Sequence, residues 1–192
     1  GDRMALAEMA ERLGRPEEAA NWREKAKQVK NALFEICYDK EDEFFYDVDK
    51  CGRKRKIRSI SITNVLTERV VDEALGGEIF ERWHNPKEFW TPYPFPAVSA
   101  GDPTWRQNLP GNSWGYYSQG LTALRSLRWM EAYGKGAELN QFLEKWVAAW
   151  TRSETPFGQE LHPLTGEPSQ SSPWYSSCML VYLYALRRLY GL

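Results

Sequence analysis

The sequence predicts an all-α chain built as part of a double ring of helices, and three observations carry that reading. Segments 114–133 and 174–190 are apolar on most faces, whereas 16–37 and 137–152 are apolar along a single stripe. The two kinds take turns along the chain, as happens where inner helices buried all round are wrapped by outer helices buried on one side. Each of two long loops, 84–113 and 154–173, leads into one of the fully apolar helices, which puts both loops on the same face. About seven helical segments can be counted, fewer than a closed twelve-helix barrel requires.

The elements follow in order. Residues 2–13 are helix-compatible and stop at Gly14, and Pro16 suits the first position of the next helix. From there Ala19, Trp22, Ala26, Val29, Leu33 and Ile36 recur at spacings of 3 and 4, the mark of an amphipathic helix. Tyr38–Asp42 reads as a turn, 44–49 as a short extended stretch, and the basic run 50–58 around Gly52 as a solvated loop. Two shorter helices are expected at 61–70 and 72–83, with Pro86 marking an end. The loop 84–113 holds Pro86, Pro92, Pro94, Pro96, Pro103 and Pro110 together with Trp90, Tyr93 and Trp105. A loop of that length in a compact chain is functional or disordered, and its aromatics weigh against disorder. The helix 114–133 carries Tyr117, Leu121, Ala123, Leu124, Leu127 and Met130, and 137–152 carries Leu139, Phe142, Leu143, Trp146, Val147 and Trp150.

Composition narrows the function. With 25 Lys and Arg against 26 Asp and Glu, the net charge of −1 argues against a nucleic-acid groove. No apolar run approaches the roughly 20 residues a membrane-spanning helix needs. Cys37, Cys51 and Cys178 form no C-x-x-C pair, so neither a zinc site nor a disulfide framework is expected, and no cofactor is implied. His84 and His162 have no partner spacing for a metal or a Ser-His-Asp triad. The nine Trp, ten Tyr and eight Phe are the unusual feature: such rings fill cores, and they also line sugar and peptide sites. The chain begins without Met inside what reads as a helix, as a fragment or a processed product would, and its compartment is left open.

Three segments concentrate candidate chemistry. They are Phe89-Trp90-Thr91-Pro92-Tyr93-Pro94-Phe95-Pro96, then Asn112-Ser113-Trp114-Gly115-Tyr116-Tyr117-Ser118-Gln119, then Gln159-Glu160-Leu161-His162-Pro163-Leu164-Thr165-Gly166-Glu167 followed by Trp174-Tyr175. In this order and helical setting they resemble the C-terminal part of (α/α)6-barrel glycoside hydrolases, the family 63 α-glucosidases, mannosylglycerate hydrolases and trehalases. In that group a W-x-P-Y-P-x-P loop comes first, a Trp-bearing start of an inner helix with a following Gln comes next, and a Glu before P-x-T-G supplies the catalytic base. The resemblance implies that residues 1–192 are the C-terminal portion of a single toroid catalytic domain, with Glu160 as its base. Three departures stand out. The W-R-G-P variant of the second motif is absent, His162 stands where such enzymes often have Asp or Asn, and no D-D-S-P-like motif for the general acid occurs in this sequence.

The expected activity is therefore glycoside hydrolysis with inversion, on an α-linked glucoside or related sugar. One carboxylic acid protonates the leaving oxygen while a second carboxylate activates water on the opposite face, the two standing about 6.5–9.5 Å apart. Trp90, Tyr93, Trp114, Tyr116, Gln119, Trp174 and Tyr175 are the candidate substrate contacts, each with core packing or backbone satisfaction as its other reading. Trp22, Trp146 and Trp150 sit on helical stripes and read as packing. Glu154 and Glu167 read as solvated, Asp102 as a turn residue and the next carboxylate to consider, and Asp47 with Asp49 as too few for the about 6–8 oxygens calcium takes. Partners implied are a carbohydrate and a segment or second chain that completes the barrel, with no nucleic acid and no membrane. The alternative is a noncatalytic carbohydrate-binding or structural half-toroid; another toroid enzyme, an epimerase or lyase, would want histidines in better context.

Overall fold

The computed structural model describes residues 1–105, 114–154, 156–169 and 172–192. It is helical, with four two-residue strands, and it divides into two compact units: Gly1–Lys56 with Glu68–Val70, and Ile57–Thr67 with Val71–Leu192.

In the first unit α1 (Asp2–Arg12) and α2 (Pro16–Ala32) form a hairpin around Gly14, whose φ of +70° is the left-handed turn glycine accepts without cost. Pro16 lies in the first turn of α2, as expected. Small residues let the two helices approach, with Ala7, Ala10 and Ala19 buried between them. The stripe predicted along α2 exists as a face, yet only Ala19 is fully covered; Trp22, Ala26 and Leu33 are half-buried and Val29 and Ile36 exposed. The last turn, Leu33–Cys37, widens into a π-helix that delivers Phe34 against Tyr38 and Phe45. Tyr38–Asp39 (β1) pairs antiparallel with Phe44–Phe45 (β2). The basic loop that follows is less solvated than its composition suggested. Lys54 donates to the Tyr38 carbonyl at 2.7 Å, Lys56 reaches Asp39 at 2.6 Å and Asp42 at 2.8 Å, and Arg53 pairs with Asp49 at 2.8 Å. The Lys56 hydrogen bond, helped by the amide of Asp42 and the Lys54 charge, holds the Asp39 carboxyl down at about 2.

The second unit contains α3 (Ile62–Thr67), α4 (Glu73–Trp83), α5 (Gly120–Ala132), α6 (Gly136–Arg152) and α7 (Ser176–Tyr190). Asp72 caps α4 by accepting from the Leu75 amide at 2.9 Å. Helices α5, α6 and α7 pack on one another, and α3 packs on α5. Helix α5 is covered on most sides, only Arg125, Arg128 and Glu131 being exposed, which matches an inner helix. Helix α6 buries one stripe, Leu139, Phe142, Leu143, Trp146, Val147 and Trp150, with Gln141 and Glu144 outside, as its pattern predicted. Helix α7 shows the bare apolar side expected of an inner helix in a ring that about seven helices cannot close. Ser177, Cys178, Val181 and Ala185 are buried, but Leu180 and Leu183 are 51% and 59% exposed, because no described element packs against that side.

The core of this unit is aromatic. Phe80 and His84 of the α4 end, Phe95 of the long loop, Trp129 of α5, and Phe142 and Trp146 of α6 form a continuous chain of ring contacts at 4.5–6.0 Å. Much of the aromatic surplus is thus spent on packing, where offset and edge contacts add to burial. Among the described residues no helix is long and apolar enough to cross a membrane, and no group of three or more His, Cys, Asp or Glu could hold a metal ion.

Candidate active site

The three motif segments are sewn together by backbone pairing. Ser118–Gln119 (β3) runs antiparallel to Glu160–Leu161 (β4), pairing Ser118 with Leu161 and Gln119 with Glu160. The first segment joins the same seam: the Tyr93 amide donates to the Pro163 carbonyl at 2.9 Å, the Ser118 hydroxyl to the Tyr93 carbonyl at 2.6 Å, and the Ala97 amide to the Tyr117 carbonyl at 3.0 Å. Pairing at Gln119 is what shortens the helix predicted at 114–133. Residues 114–119 approach α5 in turn and extended conformation, and the helix begins only at Gly120. Likewise the segment predicted to start a helix at 174 enters α7 at Ser176, after Trp174 and Tyr175 have donated their amides to the Pro156 and Phe157 carbonyls.

Glu160 lies in this seam and is wholly buried, where an ordinary loop carboxylate would face water. The Gln119 side-chain amide donates to its Oε2, and Gln159 Nε2 lies 3.5 Å from Gln119 Oε1, so a short amide relay fixes which end of Gln119 faces the carboxylate. Behind it, Cys178 of α7 directs its thiol at the Gln159 carbonyl, 3.6 Å away. Burial first, and the Glu160 charge second, push that thiol up to about 12, so it stays protonated and unreactive. Gly120 makes the approach possible: a β-carbon there would stand 2.3 Å from the Cys178 sulfur and 3.1 Å from the Gln159 carbonyl oxygen.

Further along the seam, Tyr116 stacks obliquely on Trp105 at 5.0 Å and its hydroxyl lies 3.0 Å from His162 Nε2. His162 Nδ1 receives the Leu164 and Thr165 amides at 3.3 and 3.2 Å. His162 is half-buried, and burial lowers its pKa from 6.5 against the opposing charge of Glu167.

The other sequence candidates are placed as follows. Tyr175 is half-buried at the start of α7, with its ring against Gly120. Trp114 and Trp174 are exposed, at 46% and 63%. Asn112 and Ser113 lie outside the described residues. Two further candidates have packing partners. Trp90, half-buried, meets Phe80 and Phe95 edge-on with Lys145 Nζ 5.3 Å from its ring, at the margin of the aromatic core. The Tyr93 ring covers Gly166, and its hydroxyl accepts from Arg152 at 2.6 Å. Asp102 is a turn residue as expected, buried and committed to the Arg58 amide at 2.8 Å and to Thr104 at 2.9 and 2.7 Å. Glu154 and Glu167 are exposed, also as expected. Gln159 and His162 are the members of the seam that sequence reasoning left without a role. Their adjacency to Glu160 was the available signal.

Solved structures of similar fold include glycoside hydrolases. The chain superposes on family 63 mannosylglycerate hydrolase from Thermus thermophilus with a TM-score of 0.73 at 20% identity, covering 95% of this chain and 42% of that one. It superposes on neutral trehalase from Saccharomyces cerevisiae at 0.72 and 16% identity, covering 88% and 30%, and on a sialidase at 0.76 and 15%, covering 96% and 18%. The chain thus spans less than half the length of each, and it shares the (α/α)6-barrel fold with the first two. No curated protein matches the sequence. Across residues 1–176 the sequence matches the model of the mannosylglycerate hydrolase MGH1-like glycoside hydrolase domain, and the chain belongs to that family.

Proposed function

We propose that residues 1–192 are the C-terminal, base-bearing portion of a toroid catalytic domain that hydrolyses an α-linked glucoside or a related sugar with inversion. Glu160 is the general base in this reading. The general acid comes from a segment outside these residues or from another chain that completes the barrel. The observation that supports it most is the burial of Glu160 at the junction of three loops, where the Gln119 amide holds one of its oxygens. A general base has to be aimed within hydrogen-bond reach of the proton it takes, and a donor fixed on one carboxylate oxygen sets the direction of the other. Tyr116, Tyr175, Trp114 and Trp174 supply the sugar contacts and Gln119 orients the base; Trp90 and Tyr93 contribute through the fold. The exposed sides of α2 and α7 are where the rest of the barrel would rest.

The experiment is Glu160→Gln in the complete polypeptide, assayed on α-linked disaccharides and glycosyl glycerates, with Glu154→Gln and Glu167→Gln as controls. The expected result is loss of turnover with sugar binding retained. Retained turnover in Glu160→Gln would assign Glu160 to structure and leave a noncatalytic carbohydrate-binding half-toroid as the better reading.

A further inference from the structure

We propose that His162 is a positioning residue for Glu160: as the neutral Nε2–H tautomer it locks the turn that follows β4 and at the same time grips Tyr116. The proposal rests on Glu160 being the base.

Hydrogen-bond direction carries the argument. The two groups that reach Nδ1, the Leu164 and Thr165 amides, can only donate. Nδ1 must therefore present its lone pair, and the ring proton of a neutral imidazole must sit on Nε2. Nε2 is 3.0 Å from the Tyr116 hydroxyl, so the imidazole donates and the phenol oxygen accepts. The phenol proton is consequently turned away from the ring. Backbone amides thus set the polarity of a side-chain contact 46 residues away in sequence.

The turn itself has little freedom. The Gly166 amide donates to the His162 carbonyl at 2.9 Å, the His162 amide to the Glu167 carbonyl at 2.7 Å, and Gly166, at φ +75°, lies under the Tyr93 ring. Strand pairing then links this turn to the carboxylate. Gln119 pairs with Glu160, so Tyr117 is carried opposite His162, and their rings meet edge-on at 5.8 Å. His162 follows β4 directly and the backbone pairing runs past it: the Ser169 amide donates to the Glu160 carbonyl at 2.9 Å and Leu161 bridges Pro168, so the turn that His162 locks closes the same hairpin that carries the carboxylate.

Charge can undo the lock. Protonation places a hydrogen on Nδ1, where two amide donors already point, and both contacts become repulsive. Glu167, Tyr116, Tyr117 and, two residues earlier in the hairpin, Glu160 are the titratable groups nearest the ring. Burial outweighs the Glu167 charge and favours the neutral form.

An asparagine at 162 separates the two duties: its side-chain oxygen can receive the same amides two and three residues on, but it cannot reach Tyr116. The first test is a long-range ¹H–¹⁵N correlation spectrum of the 192-residue chain, which holds only two histidines, so His162→Asn assigns both. The expected pattern for His162 is the Nε2–H tautomer with a midpoint below 6.5. An Nδ1–H tautomer, or a charged ring at pH 7, overturns the proposal. The second test is the pH profile of kcat and KM in the complete polypeptide. His162→Asn should lower kcat about ten- to a hundred-fold with KM held and simplify the acid limb; Tyr116→Phe should lower kcat as much, with KM raised as well because Tyr116 also meets the sugar, and the double variant should lose no more in kcat than either alone. Additive losses in kcat, a raised KM in His162→Asn, or an unchanged acid limb in His162→Asn overturn it. Tyr116→Phe leaves the turn intact and keeps the test open if His162→Asn folds poorly. Full activity in Glu160→Gln would instead remove the base reading, leaving the tautomer result standing, so the two failures are distinguishable.

Discussion

The two histidines of this chain sit in opposite surroundings. His84, at the end of α4, is stacked on Phe80 at 4.5 Å and walled by Phe89, Phe95 and Trp129. Among the described residues neither of its ring nitrogens has a hydrogen-bond partner. His162, after β4, has both nitrogens engaged and keeps part of its ring at the surface. The first region spends a polar side chain as an aromatic brick; the second uses every polar atom to aim another. Ring packing holds the aromatic core, whereas the polar seam commits its side chains to directed hydrogen bonds.

The sharpest way to break that contrast is Glu160→Gln. In the seam, the glutamine carbonyl can still accept from Gln119, so the melting temperature should hold within a few degrees while kcat falls about 10²–10⁴-fold. Loss of fold in place of turnover would make the seam structural. The core should answer instead to acid. Burial drives the His84 pKa to about 3; the nearby Phe80 and Ile79 carbonyls oppose that shift and Lys135 adds to it. The unfolded chain binds this proton near pH 6.5 and the folded chain only near 3, so the contribution of neutral His84 is intact above 6.5. It erodes as pH falls toward 3, by about 5 kcal/mol in all. Urea unfolding between about pH 7 and pH 4 should show this slope, and His84→Leu should flatten it; an equal slope in the variant would place the acid sensitivity elsewhere.

Smaller effects sharpen the boundary between the regions. Gly166→Ala forces a side chain into left-handed backbone and brings its β-carbon within 2.3 Å of the Tyr93 ring. It should cost about 1–3 kcal/mol in chemical unfolding, with kcat reduced as well because the His162 turn must shift. Asp72→Ala removes the α4 cap, far from the seam, and should cost about 1 kcal/mol with kinetics unchanged. A kinetic defect there would show that the core and the seam are coupled.

Much of this architecture was readable from spacing. The stripe from Leu139 to Trp150 gave α6 to within a residue, and Gly14 with Pro16 gave the first helical hairpin. Periodicity misled at 114–119, where Tyr117 continues the apolar pattern of α5, because pairing of Ser118 and Gln119 with β4 outweighs local helix propensity. It served better at Leu180 and Leu183: apolarity on every face of α7, in a chain with too few helices to close a ring, pointed to the exposed side these residues occupy. Glu160 was legible as a candidate through its motif, but its burial was not, since nothing local in a Gly- and Pro-rich loop distinguishes an enclosed carboxylate from a solvated one. His162 was seen but left without a role for a related reason: two of its partners are backbone amides, which leave no trace in residue identity, and the third is 46 positions away.

The thiol of Cys178 gains a use from where it lies. It is sealed from solvent, inert, and close enough to Glu160 for that carboxylate's charge to weigh on its acidity. The sulfur–hydrogen stretch of this one buried thiol is therefore a built-in voltmeter for the carboxylate. Followed by infrared spectroscopy across pH, it would report when Glu160 carries its charge in an unlabelled protein, before any sugar is known to bind.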